Sequence, residues 1–537
     1  MIDQVINRIV GRPPAAGHRV SFARLTGGSS MDLVELYETA GRLAARLAAL
    51  GLGPGDRIGI LAANCLEWVL LDLAALRLKA VTAGYEPGKF EPGDALVARY
   101  GLKLLFTDRP ATGASDSPHA AAIHSITEVA TLSDREGFDD GGRGIPVAVY
   151  GPEDITTIKF TSGSTGEPKG LGATVGSTDS TISAVQELFE HGRDDDLFIF
   201  LPLSLLQQRY WIYSALCYGH SVTVSTYEAA FVALGRARPT IVMGVPAFFE
   251  SAMKHIESRA RRASADGADG DQTDALRGAA RDLFGNRIRY LWTGSAPARP
   301  AMLRCFTDAG MPIYEGYGLN ETCIVAKNHP GAHREGSVGQ VLPRKKVLFD
   351  QDGVISVHSE YPVSNGGYAY AAPGESERVF GADGVVRTGD VGYLDEDGFL
   401  FIRGRADDVI VLDNGRKVIV RPIEERMRSS PAIAECVVYC PDQTRLVAVV
   451  SPAAEPSDEA AIAAHLAWAN AEAARDEQIS LLITARPAFS IGNGLLTSQY
   501  KPRRKQIFEA YRAEIEAGRP AGPGRQPAQS DSGSGNQ

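Results

Sequence analysis

A stretch rich in glycine and hydroxyl residues, FTSGSTGEPKG at 160–170, has the composition of a phosphate-binding loop. Its glycines let the backbone turn tightly and direct successive N–H groups toward an anion. The hydroxyl groups add donors, and the lysine adds a mobile positive charge for terminal phosphates. The segment differs from the common loop GxxxxGK[ST], because Pro168 precedes the lysine and Gly170 follows it. The candidate phosphate ligands are Thr161, Ser162, Gly163, Ser164, Thr165, Gly166 and Lys169.

Three further segments downstream place charged residues among glycines and aromatic residues. They are YEGYGLNET at 314–322, RTGDVGY at 387–393 and NGLLTSQYKPRR at 493–504. Taken singly, RTGD is typical of a turn at the end of a strand, and a lysine in a basic run is typical of a solvated face. Their occurrence in one order after the phosphate loop favours a functional interpretation.

The ordered residues TSGSTGEPKG resemble the signature loop of the adenylate-forming superfamily, which comprises acyl-CoA synthetases, luciferases and the adenylation domains of peptide synthetases. The downstream segments resemble further motifs of that superfamily, most closely those of the long-chain fatty acyl-CoA synthetases. The resemblance implies an enzyme that uses ATP and Mg²⁺ to convert a carboxylic acid into an acyl-adenylate. It further implies transfer of the acyl group to a thiol.

The resemblance assigns roles in the ATP site. The carboxylate of Glu321 would hold Mg²⁺, which usually takes one or two protein carboxylates besides phosphate oxygens and water. Asp390 would accept hydrogen bonds from both ribose hydroxyls, and Arg405 would lie beside the ribose and phosphate. The other residues around the adenine and the acyl group would be Gly294, Ser295, Glu315, Gly316, Tyr317, Gly318 and Asn320.

Two residues near the end of the chain are implied in catalysis. Asp407 matches the hinge about which the small domain would swing between two half-reactions. Lys501 matches the catalytic lysine, which would bridge the acyl carboxylate and the α-phosphate, with Lys169 and Glu321 completing the catalytic set. We expect the basic residues that follow Lys501 to be surface charges: Arg503, Arg504 and Lys505.

Strand-like and helix-like segments alternate as far as about residue 330, as in GDRIGILAAN followed by CLEWVLLDLAALRLKA. This alternation predicts an α/β fold, a large N-terminal domain of helix-covered sheets. Short strands at 340–402 predict a small β-barrel-like subdomain. Beyond it, a mixture of strand-like and helix-like segments predicts a small α+β domain, and the resemblance to the superfamily implies that this domain is mobile. We predict domains at 1–404 and 405–517, a disordered tail at 518–537, and a surface loop at 260–274.

Composition excludes several classes of partner. A net charge of -10 argues against a protein that binds a nucleic-acid backbone. The six cysteines form no CxxC pair, so neither a zinc site nor a disulfide framework is indicated. The most apolar helical stretch is short and interrupted by charges, and the N-terminal segment lacks a signal-peptide core. We therefore expect a cytoplasmic protein without a membrane anchor.

Three positions depart from the usual pattern of the superfamily. Asn320 stands where a threonine is general, Val175 stands where the loop strand usually ends in Thr-His, and Leu205 replaces a frequent histidine beside the acyl pocket. The last two remove imidazole groups near the substrate entrance, which indicates either an unusual substrate or neutral drift. All three departures, Asn320, Val175 and Leu205, also support an alternative hypothesis, in which the protein is a degenerate homologue that binds nucleotide but catalyses no reaction.

The substrate and the acceptor remain open at this stage. The segment Leu203–Trp211 contains no acid to pair an α-ammonium group, so an amino-acid substrate is disfavoured. Similarity to the long-chain enzymes favours a fatty or related acid over an aryl acid. CoA and the phosphopantetheine arm of an acyl carrier protein present the same thiol, and a free-standing ligase that loads a carrier is the alternative to a CoA ligase.

Overall fold

The computed structural model describes residues 3–110, 119–134, 145–162, 168–265, 272–381, 384–497 and 500–517. The chain divides into two compact units, unit 1 (Met1–Ile402) and unit 2 (Arg403–Gln537). Unit 1 combines large sheets with helices and unit 2 is a smaller α+β arrangement, which confirms the predicted fold class. The predicted bounds at 404 and 405 and the mobility of the small domain stay predictions. The predicted tail at 518–537 lies outside the described residues.

The larger sheet of unit 1 has nine strands, numbered here along the chain. Its central strands run parallel, and antiparallel partners flank them at both ends. Parallel strands need crossover connections, and helices supply them. In spatial order the strands are β15 (Gln340–Val341), β14 (Cys323–Lys327), β13 (Ile313–Leu319), β12 (Tyr290–Thr293), β11 (Ile241–Met243), β9 (Asp196–Ile199), β10 (Ser221–Val224), β1 (Arg19–Ala23) and β2 (Gly28–Asp32).

A second sheet of unit 1 has six strands and carries the phosphate loop. Two of its parallel strands are mainly apolar, as expected for buried parallel strands: Ile58, Ile60, Leu105 and Phe106 are fully buried. The last two strands pair antiparallel. In spatial order the strands are β6 (Ile123–Ser125), β5 (Leu104–Thr107), β3 (Arg57–Leu61), β4 (Val81–Gly84), β7 (Ile155–Ser162) and β8 (Pro168–Thr174).

A four-stranded sheet follows in the region where the sequence predicts a small β-rich subdomain. Its first three strands pair antiparallel, and the last strand crosses from unit 1 into unit 2. The prediction of short strands at 340–402 is therefore correct. The strands are β16 (Lys345–Phe349), β17 (Val354–Ser359), β18 (Val385–Leu394) and β19 (Leu400–Arg405).

Two helices of unit 1, which begin at Leu33 and Val175, are capped by polar side chains. Asp32 accepts a hydrogen bond from Val34 N–H at 2.8 Å, and Thr174 accepts one from Ser177 N–H at 3.1 Å. The helices are α1 (Val5–Gly11), α2 (Leu33–Ala49), α3 (Leu66–Arg77), α4 (Asp94–Tyr100), α5 (Glu128–Leu132), α6 (Val175–Phe189), α7 (Leu206–Tyr218), α8 (Ala230–Ala237), α9 (Pro246–Ala265), α10 (Gln272–Phe284), α11 (Pro300–Asp308) and α12 (Glu375–Val379).

The predicted surface loop at 260–274 is largely wrong. Helix α9 continues to Ala265 and α10 begins at Gln272. The apolar positions Ala252, Ile256 and Ala260 recur every four residues and stay buried, so the helical face persists into the polar stretch. Residues 266–271 of the predicted loop lie outside the described residues.

Unit 2 contains a two-stranded hairpin and the predicted α+β segments. The buried residues Val438, Val450 and Ile462 belong to its core. The hairpin strands are β20 (Val409–Val411) and β21 (Lys417–Ile419), and a separate sheet holds β22 (Ile433–Tyr439), β23 (Leu446–Pro452) and β24 (Ile479–Thr484). The helices are α13 (Val420–Arg428), α14 (Glu459–Ala471), α15 (Arg504–Ala510) and α16 (Arg512–Ala517). Among all the helices described, none combines the length and apolar character needed to cross a bilayer.

Candidate active site

The phosphate loop connects β7 to β8. Their antiparallel register places Thr161 opposite Lys169 and Ser162 opposite Pro168. This register fixes the point at which Lys169 leaves the loop and enters the sheet. The predicted ligands between the two strands lie outside the described residues: Gly163, Ser164, Thr165 and Gly166.

The ammonium group of Lys169 is held within unit 1, and its side chain is 13% exposed. Its Nζ lies 4.3 Å from the centroid of the Tyr368 ring and 3.8 Å from Oε1 of Glu375. A cation over an aromatic face and a nearby carboxylate both attract the charge. Lys169 is therefore restrained at the base of the loop before any nucleotide binds.

The same tyrosine also contacts the predicted Mg²⁺ ligand. The hydroxyl group of Tyr368 donates a hydrogen bond of 2.6 Å to Oε1 of Glu321. Burial and the negative charge of Glu321 raise the pKa of Tyr368, so its phenol stays a donor. Lys169, Tyr368 and Glu321 thus form one contact chain, which runs from the phosphate loop to the segment YEGYGLNET at 314–322, called the acidic motif below. Sequence reasoning missed Tyr368, which lies in none of the recognised motifs.

The hairpin of β13 and β14 carries the acidic motif. A Cβ at Gly318 would lie 2.0 Å from the main-chain oxygen of Cys323, so this close approach requires glycine. Asn320 is exposed on the turn that follows β13, and Glu321 is half-buried beside it. The local geometry therefore displays the predicted carboxylate at the end of the hairpin.

The loop predicted to meet adenine follows β12, next to the acidic motif. Thr293 pairs with Glu315 in the parallel register of β12 and β13, so Gly294, which follows the end of β12, lies beside Gly316 of β13. A Cβ on Gly294 would lie 3.3 Å from the oxygen of Gly316. Ligands of α/β proteins bind in crevices at such carboxyl ends of strands.

A side chain of the acidic motif also braces the β12 loop. Oε1 of Glu315 accepts a hydrogen bond of 3.2 Å from Ala298 N–H. Ser295, in the loop that follows β12, has a φ of 70°, an uncommon conformation for a residue with a side chain. Four predicted residues, Gly294, Ser295, Glu315 and Gly316, therefore lie in one place.

The predicted ribose ligand contacts the predicted adenine residue. The hydroxyl group of Tyr317 donates a hydrogen bond of 2.5 Å to Oδ2 of Asp390. Asp390 is 6% exposed, and its own N–H donates to Oγ1 of Thr388 at 3.0 Å. Two motifs that are 73 residues apart in sequence are thus joined by a direct hydrogen bond.

The segment of Lys501 in unit 2 is a closed turn. Thr497 N–H donates to the main-chain oxygen of Lys501 at 2.8 Å, and Lys501 N–H donates to Oγ1 of Thr497 at 3.1 Å. Leu495 and Leu496 are buried and attach the turn to the core of the unit. Two hydrogen bonds therefore join Thr497 to the predicted catalytic lysine, while residues 498–499 lie outside the described residues.

Two other predicted residues of unit 2 are exposed. Arg405 ends β19, and Asp407 lies in a short 3-10 helix, Ala406–Asp408. Exposure suits a residue that must contact a nucleotide and one that must change its backbone conformation. Their roles stay predictions.

The expectation that Arg504 is a surface charge is wrong. Its guanidinium group donates to Oε1 of Glu424 at 2.7 Å and lies 3.3 Å from Oδ1 of Asp408. It also donates to the main-chain oxygen of Val438 at 2.8 Å. Arg504 therefore connects the segment after Lys501 to the residue after the predicted hinge. Arg503 and Lys505 are exposed as expected.

The three departures from the superfamily pattern have different settings. Val175 is buried at the start of α6, and Leu205 is half-buried immediately before α7. Asn320 is exposed, and its main-chain oxygen accepts a hydrogen bond from Nζ of Lys159. The effects of these departures on substrate choice stay predictions.

Family models match both parts of the chain. The model described as AMP-binding enzyme matches residues 14–356, and the model of the AMP-binding enzyme C-terminal domain matches residues 407–518. The chain belongs to the AMP-binding enzyme family. The predicted ATP-dependent, acyl-adenylate-forming enzyme is thereby confirmed as a class.

Curated members of the AMP-binding enzyme family resemble the chain over most of its length. The long-chain-fatty-acid–CoA ligase FadD15 of Mycobacterium tuberculosis is 27% identical over 93% of this chain and 94% of its own length. The 2-succinylbenzoate–CoA ligase of Bacillus cereus strain Q1 is 26% identical over 76% of this chain and 80% of its own length. These two similar enzymes act on acids of different chemistry.

Solved structures share the fold of the chain. The o-succinylbenzoate CoA synthetase of Bacillus subtilis with its acyl-adenylate intermediate has a TM-score of 0.72 at 19% identity, covering 94% of this chain and 98% of its own. ATP-bound MatB of Rhodopseudomonas palustris has a TM-score of 0.72 at 21% identity, covering 96% of this chain and all of its own. The similarity supports the two-part fold described above.

Proposed function

We propose that this AMP-binding enzyme activates a fatty or related carboxylic acid with ATP and transfers the acyl group to coenzyme A. The observation that carries the proposal is the contact chain of Lys169, Tyr368 and Glu321. It joins a cation suited to phosphates to a carboxylate suited to Mg²⁺, as activation by a nucleoside triphosphate requires.

The residues of unit 1 fit a Mg²⁺ ion that arrives with ATP. Oε1 of Glu321 accepts from Tyr368, while Oε2 accepts no hydrogen bond from the part of the chain that the structure describes. The carboxylate is thus both oriented and open to a hard cation. When bound, Mg²⁺ would neutralise charge on the phosphate oxygens.

The residues of the chain would act mainly by positioning and by charge. Lys169 and the loop hydroxyls would bind the pyrophosphate that leaves when a carboxylate oxygen attacks the α-phosphorus. Asp390 would exchange its hydrogen bond from Tyr317 for those of the ribose hydroxyls. Glu315 would keep the loop of Gly294 and Ser295 in place beside the adenine and the acyl group.

Lys501 and Arg405 would act from unit 2. Lys501 would contact the acyl carboxylate and the α-phosphate during adenylation, and Asp407 would be the hinge that removes it afterwards. In the second half-reaction the thiol sulfur bonds to the acyl carbon, AMP leaves, and the thiol proton is released.

Two observations support an uncharged acyl chain rather than an amino acid. FadD15, similar over nearly the whole chain, is named for long-chain fatty acids. Asp72, a buried acid that contacts α7, is already paired with Nη1 of Arg209 at 2.7 Å and accepts a hydrogen bond of 2.5 Å from the hydroxyl of Tyr213. It therefore offers no free carboxylate to an α-ammonium group.

Pyrophosphate exchange across a panel of acids tests the substrate. The panel pairs octanoate and palmitate with benzoate, 2-succinylbenzoate and an amino acid, and Glu321→Gln is the matched inactive control. We expect exchange with the alkyl acids. Exchange with an aryl acid alone would refute the fatty-acid part, and ATP binding without exchange for any acid would support a degenerate homologue.

A second assay tests the acceptor. The acid that supports exchange is supplied with ATP and either CoA or a phosphopantetheinylated acyl carrier protein. We expect a thioester with CoA. Thioester formation on the carrier protein alone would instead identify a free-standing ligase that loads carriers.

A further inference from the structure

Two lysines of unit 1 are buried beside the turn that carries Asn320 and Glu321. Lys159 of β7 is 6% exposed and Lys345 of β16 is 9% exposed. Within the described ranges, neither ammonium group has a carboxylate at ion-pair distance. Both lysines are near the thiol of Cys323, whose Sγ lies 3.9 Å from Nζ of Lys159. Burying a cation without a carboxylate partner is unfavourable, so these ammonium groups need hydrogen-bond acceptors nearby.

Each ammonium group donates to a main-chain oxygen of the turn. Nζ of Lys159 lies 2.5 Å from the oxygen of Asn320, and Nζ of Lys345 lies 2.5 Å from the oxygen of Thr322. These oxygens belong to the residues on either side of Glu321. The two lysines therefore hold the backbone both before and after the predicted Mg²⁺ ligand.

The turn needs such support because its conformation is uncommon. Cys323, which begins β14, has a φ of 53°, a region that residues with side chains seldom occupy. Thr322 is 3% exposed, so its carbonyl requires a donor from the protein. An apolar side chain at position 345 would fill the space but would leave that carbonyl without the donor it now has.

We propose that Lys159 and Lys345 are positioning residues for adenylation, which hold the Asn320–Thr322 turn so that Glu321 points toward the Mg²⁺ of bound ATP. The inference rests on the proposed role of Glu321. Tyr368 orients the side chain of Glu321, and the two lysines orient its backbone. Together they fix the carboxylate from three directions.

Calorimetric titration of the full-length protein with ATP, with Mg²⁺ and in EDTA, tests the inference without knowledge of the acid. The variants are Lys159→Met, Lys345→Met and their combination, which remove the buried charge and leave the turn carbonyls without these donors. Lys346→Met removes an exposed lysine next to Lys345 and is the matched control. Glu321→Gln is the benchmark for loss of the metal ligand.

We expect the methionine variants to bind metal-free ATP with an affinity within about twofold of the wild type. The factor by which Mg²⁺ increases the affinity for ATP should be about tenfold smaller than in the wild type. Lys346→Met should behave as the wild type. Lys159→Gln, which keeps a donor for Asn320, should recover most of the Mg²⁺ response. If Lys159→Met has a lower melting temperature than the wild type, Lys159→Gln is used in its place.

The outcomes separate this inference from the proposed function. If Glu321→Gln keeps the wild-type response to Mg²⁺, the proposed metal ligand is wrong. If Glu321→Gln loses the response while the folded Lys159 and Lys345 variants keep it within about twofold, the positioning role is overturned and the proposed function stands.

Discussion

The ring of Tyr368 lies 4.3 Å from the ammonium group of Lys169, while its hydroxyl donates to Glu321 at 2.6 Å. One side chain thereby restrains both the phosphate-loop lysine and the carboxylate proposed to bind Mg²⁺. These two residues are far apart in sequence, so the tyrosine sets their relative positions before nucleotide binds.

Replacing Tyr368 separates these two contacts. Tyr368→Phe keeps the ring beside Lys169 but releases Glu321, so we expect the Mg²⁺ concentration for half-maximal pyrophosphate exchange to rise by about tenfold. Tyr368→Leu also removes the cation–π contact, worth about 0.5–2 kcal/mol, and should weaken ATP binding in addition. An unchanged Mg²⁺ requirement in Tyr368→Phe would show that the hydroxyl does not orient Glu321.

Asp390 and Tyr317 should differ in their effect on nucleotide affinity. Asp390→Ala removes the acceptor proposed for two ribose hydroxyls, and we expect ATP to bind at least about tenfold more weakly, since hydrogen bonds to charged groups contribute about 1.5–3 kcal/mol. Tyr317→Phe keeps the aromatic ring and removes only the contact that ATP would displace, so its affinity should stay within about threefold. Equal losses in both variants, measured by equilibrium binding, would contradict this division of roles.

Arg504 should stabilise unit 2 through its contact with Glu424. Burial raises the pKa of Glu424, although Arg504 opposes this, so Arg504→Met leaves a buried acid without its partner. We expect unit 2 to lose about 1–3 kcal/mol of unfolding free energy. Thermal unfolding and limited proteolysis within 403–517 provide the measurement.

A second substitution and a surface lysine provide the controls for Arg504. Glu424→Gln in the Arg504→Met background should restore most of the stability, because glutamine still accepts from Val438 N–H without a buried charge. Lys505→Met removes an exposed charge on the same helix and should have little effect. A double variant no more stable than Arg504→Met would argue against the ion pair as the cause.

Asp179 should make unit 1 less stable as the pH rises. Burial raises the pKa of Asp179 to about 7, with Asp3 adding to the effect. The folded state therefore holds a proton that the unfolded state releases near pH 4, and the free energy of unfolding falls between about pH 4 and pH 7. Asp179→Asn keeps an acceptor for Ile6 N–H and removes this dependence.

Calorimetry at several pH values tests the role of Asp179. We expect Asp179→Asn to gain stability over the wild type, by up to about 4 kcal/mol at pH 8, and to show no gain near pH 4. Asp194→Asn, at an exposed position of the same unit, is the control. A gain that does not vary with pH would mean that Asp179 ionises normally.

The recognised motifs located most of the candidate site because short local patterns carry that information. Lys169 of the phosphate loop and Glu321 of the acidic motif could be predicted from these patterns, whereas the loop glycines Gly163 and Gly166 lie outside the described residues. Tyr368 could not be predicted, since its two partners come from other parts of unit 1 and no local pattern marks it. The prediction for Arg504 failed for a related reason. A basic run in the sequence is typical of a solvated surface, and only the fold brings Glu424 and Asp408 next to Arg504.

Fold prediction succeeded where apolar periodicity was clear. Strand β3 and helix α3 lie in the predicted segments GDRIGILAAN and CLEWVLLDLAALRLKA. The loop prediction at 260–274 failed because the polar sequence ARRASA at 260–265 hides the helical spacing of the buried residues Ile256 and Ala260. Lys159 lies in a strand that reads as buried, but only the fold brings its ammonium group to the turn of Asn320.

Separate assays of the two half-reactions of Lys501→Ala test the central claim most directly. Adenylation is followed by pyrophosphate exchange, and thioester formation is followed from supplied acyl-adenylate and CoA. We expect adenylation to fall by about a hundredfold or more, as for removal of one group that stabilises a transition state, with thioester formation much less affected. Equal loss of both half-reactions, or none of either, would contradict the proposal that Lys501 acts on the α-phosphate.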